Sequence, residues 1–170
     1  MIFVTVGTHE QSFNRLIKKV DQLIESGVIS EPVIMQTGFS TYEPKHAEWH
    51  KLLPYSQILD NVKNARIVIT HGGPASFLLP LQFGKIPIVV PRRLQYNEHV
   101  NDHQAEFAKA VAQRMKNIII VEDIAELRDT IQNYDSLVLS MQDNELQSNN
   151  ARFNKEFESI VKSMFTEENK

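Results

Sequence analysis

The sequence predicts an α/β fold, with a parallel sheet covered by helices on both faces. Three observations carry this. Short β-branched runs alternate with segments whose apolar residues recur at helical spacing. The strand runs are continuously apolar, as strands buried on both faces are. Glycines, histidines and amides gather directly after the strands, and open α/β sheets bind ligands outside the carboxyl ends of their strands.

Ile2 to Val6 (IFVTV) is the first strand, and Gly7-Thr8-His9-Glu10 leave its end. Phe13, Leu16, Ile17, Val20, Leu23 and Ile24 fall on one helical face, with Gly27 as a stop. Pro32 to Gln36 is the second strand, ending at Thr37-Gly38. Residues 39–56 read as irregular, and Ser56 reads as the cap of a helix over 57–65. Arg66 to Thr70 is a strand that runs into His71-Gly72-Gly73. Pro74 suits a first helical position, and that helix runs to about Phe83. Pro80 inside it is expected to kink or shorten it. Ile86 to Val90 is a strand, 91–101 a loop, 102–114 a helix and Asn117 to Val121 a last strand. Asp123 opens a helix to about 133. Residues 1–135 form the main domain; 136–170 read as a polar linker and a C-terminal amphipathic helix. The tail's stripe of Leu146, Phe153, Phe157, Ile160, Val161, Met164 and Phe165 packs on the chain itself or reaches a partner.

Composition narrows the function. With 170 residues, 42% hydrophobic and 23% charged, the chain can bury one sizeable core. A net charge of −3 leaves no broad basic field for nucleic acid. The absence of cysteine excludes disulfides, thiolate metal sites and cysteine nucleophiles. The opening MIFVTVG is too short for a signal peptide, so a cytoplasmic location is expected.

The loops after the strands carry the chemistry. At Gly72-Gly73 a backbone can approach a ligand closely, and N–H groups opening the next helix favour a phosphate. Ser76 adds a hydroxyl. The same glycines could serve only a tight turn, and His71 could simply cap the sheet rim. Neither G-x-x-x-x-G-K-[ST] nor G-x-G-x-x-G is present. Glu98, His99, Asn101, Asp102 and Gln104 form a polar cluster suited to sugar hydroxyls, although Asp102 could be a helix cap. His99 with His103, and His46 with His50, have a four-residue spacing. No third ligand joins them, so no metal is expected. Arg92 and Arg93 read either as neighbours of a diphosphate or anionic lipid, or as a solvated pair.

Five stretches, VTVGTHEQSFNRLI, IMQTG, YSQILDNVKNARIVITHGGPAS, GKIPIVVPR and NEHVNDHQAEFAKA, together resemble the C-terminal, nucleotide-sugar-binding half of GT-B glycosyltransferases of the MurG type. The resemblance covers residues 1 to about 133. More narrowly, the chain resembles free-standing PssE-type subunits of exopolysaccharide and capsule synthesis. It is also similar to the soluble subunit of the split dolichol-pathway N-acetylglucosamine transferase. The resemblance implies a Rossmann-like fold and an inverting, metal-independent hexosyl transfer from a UDP-sugar to a lipid-diphosphate-linked sugar. It implies no cofactor beyond that donor. It also implies a membrane-bound, PssD-type partner, which would hold this chain at the inner face of the membrane and supply the acceptor side.

By the same resemblance, Gln36-Thr37-Gly38 lie beside the nucleotide, and Tyr55-Ser56 hold the uracil. His71, Gly72, Gly73 and Ser76 bind the diphosphate. Glu98, His99, Asn101, Asp102 and Gln104 read the donor sugar. Gly7-Thr8 face the cleft, where His9 and Glu10 are the local candidates for the general base. The chain departs from the MurG pattern at Leu79, where that family carries a ribose-binding glutamate. A non-catalytic enhancer of a glycosyltransferase is the second reading. A receiver-type signalling domain is a poorer one, because Gly7-Thr8-His9-Glu10 stand where such domains place acids.

Overall fold

The computed structural model describes residues 1–143. Six strands form one sheet, and every pairing is parallel. They are β1 (Ile2–Thr5), β2 (Val33–Gln36), β3 (Glu48–His50), β4 (Ile67–His71), β5 (Ile88–Val90) and β6 (Ile119–Ile120). The helices are α1 (Asn14–Glu25), α2 (Tyr55–Asn64), α3 (Pro74–Gln82), α4 (His103–Met115), α5 (Leu127–Gln132) and α6 (Tyr134–Asp143). The spatial order is β3-β2-β1-β4-β5-β6. The chain therefore winds outward from β1 to β3, then crosses back to lay β4 on the other side of β1. The β1/β4 boundary is the topological switch point of a Rossmann-like sheet.

Strand periodicity sorts the core. Ile2, Val4 and Val6 face Phe13, Leu16, Ile17 and Val20 of the α1 layer, with Leu127 and Ile131 from α5. Phe3 and Val68 point the other way, against Val62 of α2. Val89 packs there too, against Phe77 of α3 and Phe107 of α4. Each buried side chain of this size contributes about 1.5–3 kcal/mol.

The structure departs from the sequence reading in several places. The stretch expected to be irregular contains β3, which pairs Gln36 with His50. Three residues with only Trp49 turned toward the core are too short a pattern to read. Asp21, buried on α1, holds the turn that delivers this strand. It accepts from the Tyr42 hydroxyl at 2.6 Å and from the Lys45 and His46 N–H groups. Helix α2 starts at Tyr55, with Pro54 and not Ser56 at its cap; the Pro54 carbonyl accepts from Gln57 and Ile58. Helix α3 runs through Pro80 to Gln82. So near the helix end, the missing N–H removes a single intrahelical bond. Asp102 occupies the cap position of α4 but turns its carboxylate to the Leu94 N–H. Asn101 takes the His103 N–H instead. Tyr134–Asp143 is helical; the terminal stripe from Leu146 onward lies outside the described residues.

The Phe77 side chain is fully buried and tilted against Phe107 at 5.9 Å. Phe77→Ala is expected to lower unfolding free energy by about 3–5 kcal/mol, measured by urea denaturation. A loss below about 1 kcal/mol would mean that this core collapses around the gap.

Candidate functional site

A cavity of about 810 Å³ opens over the switch point. Four segments build it. The loop after β1 gives Gly7, Thr8, His9 and Glu10, and the end of β2 gives Gln36 and Phe39. Helix α2 gives Tyr55, Ile58 and Val62, at the i, i+3, i+7 spacing of one face. The loop after β4 and the first turns of α3 give His71, Gly73, Pro74, Ala75, Ser76 and Leu79. Helices α2 and α3 both begin at the cavity, so two partly positive helix ends converge there. Pro74 has no N–H, and the Ser76 N–H turns back to the Gly73 carbonyl at 3.0 Å. The Ala75 N–H has no acceptor among the described residues.

His71 sets the chemistry of this rim. It is 8% exposed. Its Nδ1 lies 3.0 Å from the Gly73 N–H, which can only donate, so Nδ1 carries no proton. The proton sits on Nε2, which donates to the Ser76 hydroxyl oxygen at 2.9 Å. The Ser76 hydroxyl hydrogen is then left to donate elsewhere. Gln104 stands 3.3 Å from Nδ1, where an amide NH2 fits and a carbonyl oxygen does not. The ring's pKa is lowered to about 4 from 6.5. Burial is the main cause, reinforced by the Arg92 charge. The imidazole is therefore neutral at pH 7.

The glycines are explained by this ring. A Cβ on Gly73 would stand 2.2 Å from His71 Cε1, and one on Gly7 2.4 Å from His71 Nε2. His71 is clasped between two residues that can have no side chain. The sequence reading gave Gly73 to a ligand's close approach or a tight turn, and set Gly7 facing the cleft; in the fold both admit the histidine. A valine at position 73 would strike His71 before any phosphate.

Beside the cavity, Arg92 is fully buried. Its guanidinium donates to the carbonyls of Val6, Gln11 and Glu98 at 2.8–3.0 Å. Burial pushes its pKa down to about 10, so the charge persists at neutral pH. Arg15 takes the Glu98 carboxylate through two bonds of 2.9 Å and lies over the Tyr96 ring. The Arg93 N–H adds a third bond to Glu98. His9 stacks on His99, with ring centroids 4.5 Å apart, and so joins the loop after β1 to the loop after β5.

A family model described as "Glycosyltransferase family 28 C-terminal domain" matches residues 1–164. The chain belongs to that family. Among solved structures it is similar to the glycotransferase of kitacinnamycin, at 18% identity and TM-score 0.52 over 84% of this chain. It is also similar to SnogD from Streptomyces nogalater, at 16% and 0.51 over 83%. CalG4, the calicheamicin glycosyltransferase, matches at 15% and 0.53 over 96%. The chain spans 35%, 38% and 43% of those proteins respectively. They share its fold, that of a GT-B C-terminal domain. No curated protein matches the chain.

In this family 28 domain, the cavity gathers Gly7, Thr8, His9, Glu10, Gln36, Tyr55, His71, Gly73 and Ser76 from the predicted site. The others stand behind or beside it. Thr37 bonds the His50 carbonyl, and the Gly38 N–H bonds the Lys51 carbonyl. Gly72 packs against Gln104 and Pro91. Ser56 is exposed on the first turn of α2. Glu98, expected to face a sugar, is 3% exposed and engaged by Arg15. Asn101 and Asp102 bond the backbone of their own loop, and Gln104 backs His71. Arg92 ties loops together, and Arg93 pairs with Glu122. His46 pairs with Asp21 and His50 with Glu48 on a strand, so they share no helix face. Among the described residues no group of three or more His, Asp and Glu side chains could hold a metal. None of the described helices is long and apolar enough to cross a membrane.

Sequence reasoning missed Phe39, Ile58 and Val62 in the cavity wall. The spacing of Ile58 and Val62 from Tyr55 was a readable signal that packing alone also explains.

His71 gives a pH prediction. Unfolded, it takes up a proton near pH 6.5; folded, it refuses one until about pH 4. Stability is therefore full above pH 6.5 and falls as the pH drops toward 4, by up to about 3 kcal/mol. Urea unfolding at pH 7.5 and 4.5 should show this loss, and His71→Gln should show less of it. Equal losses in both proteins would remove His71 from the account.

Proposed function

We propose that this domain binds a UDP-sugar in the cavity and forms the donor half of a two-component, inverting glycosyltransferase. The acceptor side comes from a membrane-bound, PssD-type partner. The transferred hexose goes to a lipid-diphosphate-linked sugar in exopolysaccharide or capsule synthesis. One observation carries the reading: the neutral His71 leaves the Ser76 hydroxyl as a donor, beside the free Ala75 N–H at the head of α3. Two outward donors on a helix N-terminus suit a diphosphate.

The chemistry follows. The acceptor hydroxyl oxygen attacks the anomeric carbon, and the bond to the diphosphate breaks. Its electron pair leaves on the phosphate oxygen, where Ser76, Ala75 and the helix dipole stabilise the charge without a metal. The acceptor proton goes to a base. His9 suits this role by position: its Nε2–H donates to the Gln11 amide oxygen at 2.8 Å, so Nδ1 is the ring nitrogen that would take the proton. Glu10, exposed on the same loop, is the other candidate.

Calorimetry checks the donor site. Ser76→Ala is expected to weaken UDP binding by about tenfold or more, as loss of a hydrogen bond to a charged group does. Unchanged affinity would remove Ser76 from the site. Radiolabelled UDP-hexose checks the division of labour. Transfer should require membranes that carry the partner, and equal transfer by the chain alone would defeat the two-component reading.

A further inference from the structure

The cavity is divided by polarity, and the division bears on the nucleoside. The donors suited to phosphate stand at the head of α3. One helical turn beyond Ser76, about 5 Å along the axis, Leu79 lines the same cavity. Ile58 and Val62 of α2 line it too, and all three belong to the apolar cluster around Phe3. Tyr55, 66% exposed at the start of α2, offers a flat ring at the edge of this apolar wall. A nucleotide whose diphosphate is held at Ser76 thus lays its pentose against Leu79 and its base toward Tyr55.

Pentose hydroxyls need acceptors, and the side chains of Leu79, Ile58 and Val62 supply none. The Thr5 hydroxyl oxygen already accepts from the Gly7 N–H and the Gln36 amide. The Gln36 oxygen accepts from the Leu53 N–H, and its side chain is buried. Glu10, the one carboxylate lining the cavity among the described residues, and the Thr8 hydroxyl belong to the loop after β1 and not to α2 or α3. A site that hydrogen-bonds a hydroxyl rejects analogues lacking it, because its own polar group is left unpaired. A leucine wall has no polar group to leave unpaired.

We infer that the site does not read the pentose hydroxyls: ribonucleoside and 2′-deoxyribonucleoside diphosphates bind it alike. The inference rests on the donor-site reading above and concerns which nucleotides that site admits.

Calorimetric titration of the full chain with UDP and with dUDP tests it. The two dissociation constants are expected to agree within about fivefold. A larger preference for UDP would overturn the inference while leaving the donor site standing. Binding of neither nucleotide would overturn the donor-site reading, and this inference with it. Leu79→Glu and the uncharged Leu79→Gln each place an acceptor at the wall. Each is expected to move the ratio toward UDP by about fivefold or more. An unmoved ratio in both variants would overturn the placing of the pentose at Leu79. If either variant fails to fold, the wild-type ratio decides alone.

Discussion

The rim of this domain is organised around one buried cation. Arg92 leaves the end of β5 and places its guanidinium among backbone carbonyls from three places: Val6 at the end of β1, Gln11 before α1, and Glu98 in the loop before α4. A buried charge without partners costs several kcal/mol. Carbonyl dipoles supply that compensation here, and the Phe13 ring lies 4.9 Å from the guanidinium carbon. The consequence is geometric. The loop after β1 and the loop after β5 are fixed relative to each other by a group that does not line the cavity.

His71 does for the other side of the cavity what Arg92 does for this one, by exclusion rather than attraction. Its ring fills the space that side chains at positions 7 and 73 would occupy. Gly7 in turn receives Gly38, whose Cβ would stand 2.7 Å from the Gly7 carbonyl oxygen. The loops after β1, β2 and β4 are thereby nested against one another. This nesting buries the imidazole, and burial keeps it neutral. Neutrality leaves a single ring proton, the Gly73 N–H at Nδ1 fixes it on Nε2, and that proton turns the Ser76 hydroxyl into a donor. The acid sensitivity expected of the fold and the polarity of the cavity have the same origin.

The sheet and most helices were legible because periodicity and the residues that end elements agreed. Ile2–Thr5, Ile67–His71 and Pro74–Gln82 lie where their patterns put them. The loop positions after the strands were legible too, since parallel topology alone sends them to one rim. The roles of individual polar residues were less so. Glu98, Asp102, Asn101 and Arg92 share a sequence signature with ligand-binding groups, but they are bonded to backbone or to each other. A polar side chain with a distant backbone partner looks the same in one dimension as a free one. The partner of Arg92 at Val6 is 86 residues away, which no local pattern encodes. β3 escaped for the opposite reason: with three residues, it has almost no pattern to read.

That internal use of polar groups constrains what the cavity can do. Once Thr5, Gln36, Gln104 and Glu98 are engaged within the chain, few groups remain to face a ligand. Among the described residues they include the Ser76 hydroxyl, the Ala75 N–H, the Thr8 hydroxyl, Glu10 and His9, with the Tyr55 ring at the edge. The donors cluster at the head of α3, while the carboxylate and the imidazole sit across from them on the loop after β1. Between α2 and α3 the wall is hydrocarbon. A site arranged this way grips an anion strongly and a hydroxyl-rich ring weakly. If the proposed donor binds here, the site would select its anionic part more strongly than the rings on either side. In the proposed donor site, discrimination among sugars would fall to the partner's surface, since the chain's own polar loop before α4 is bonded inward.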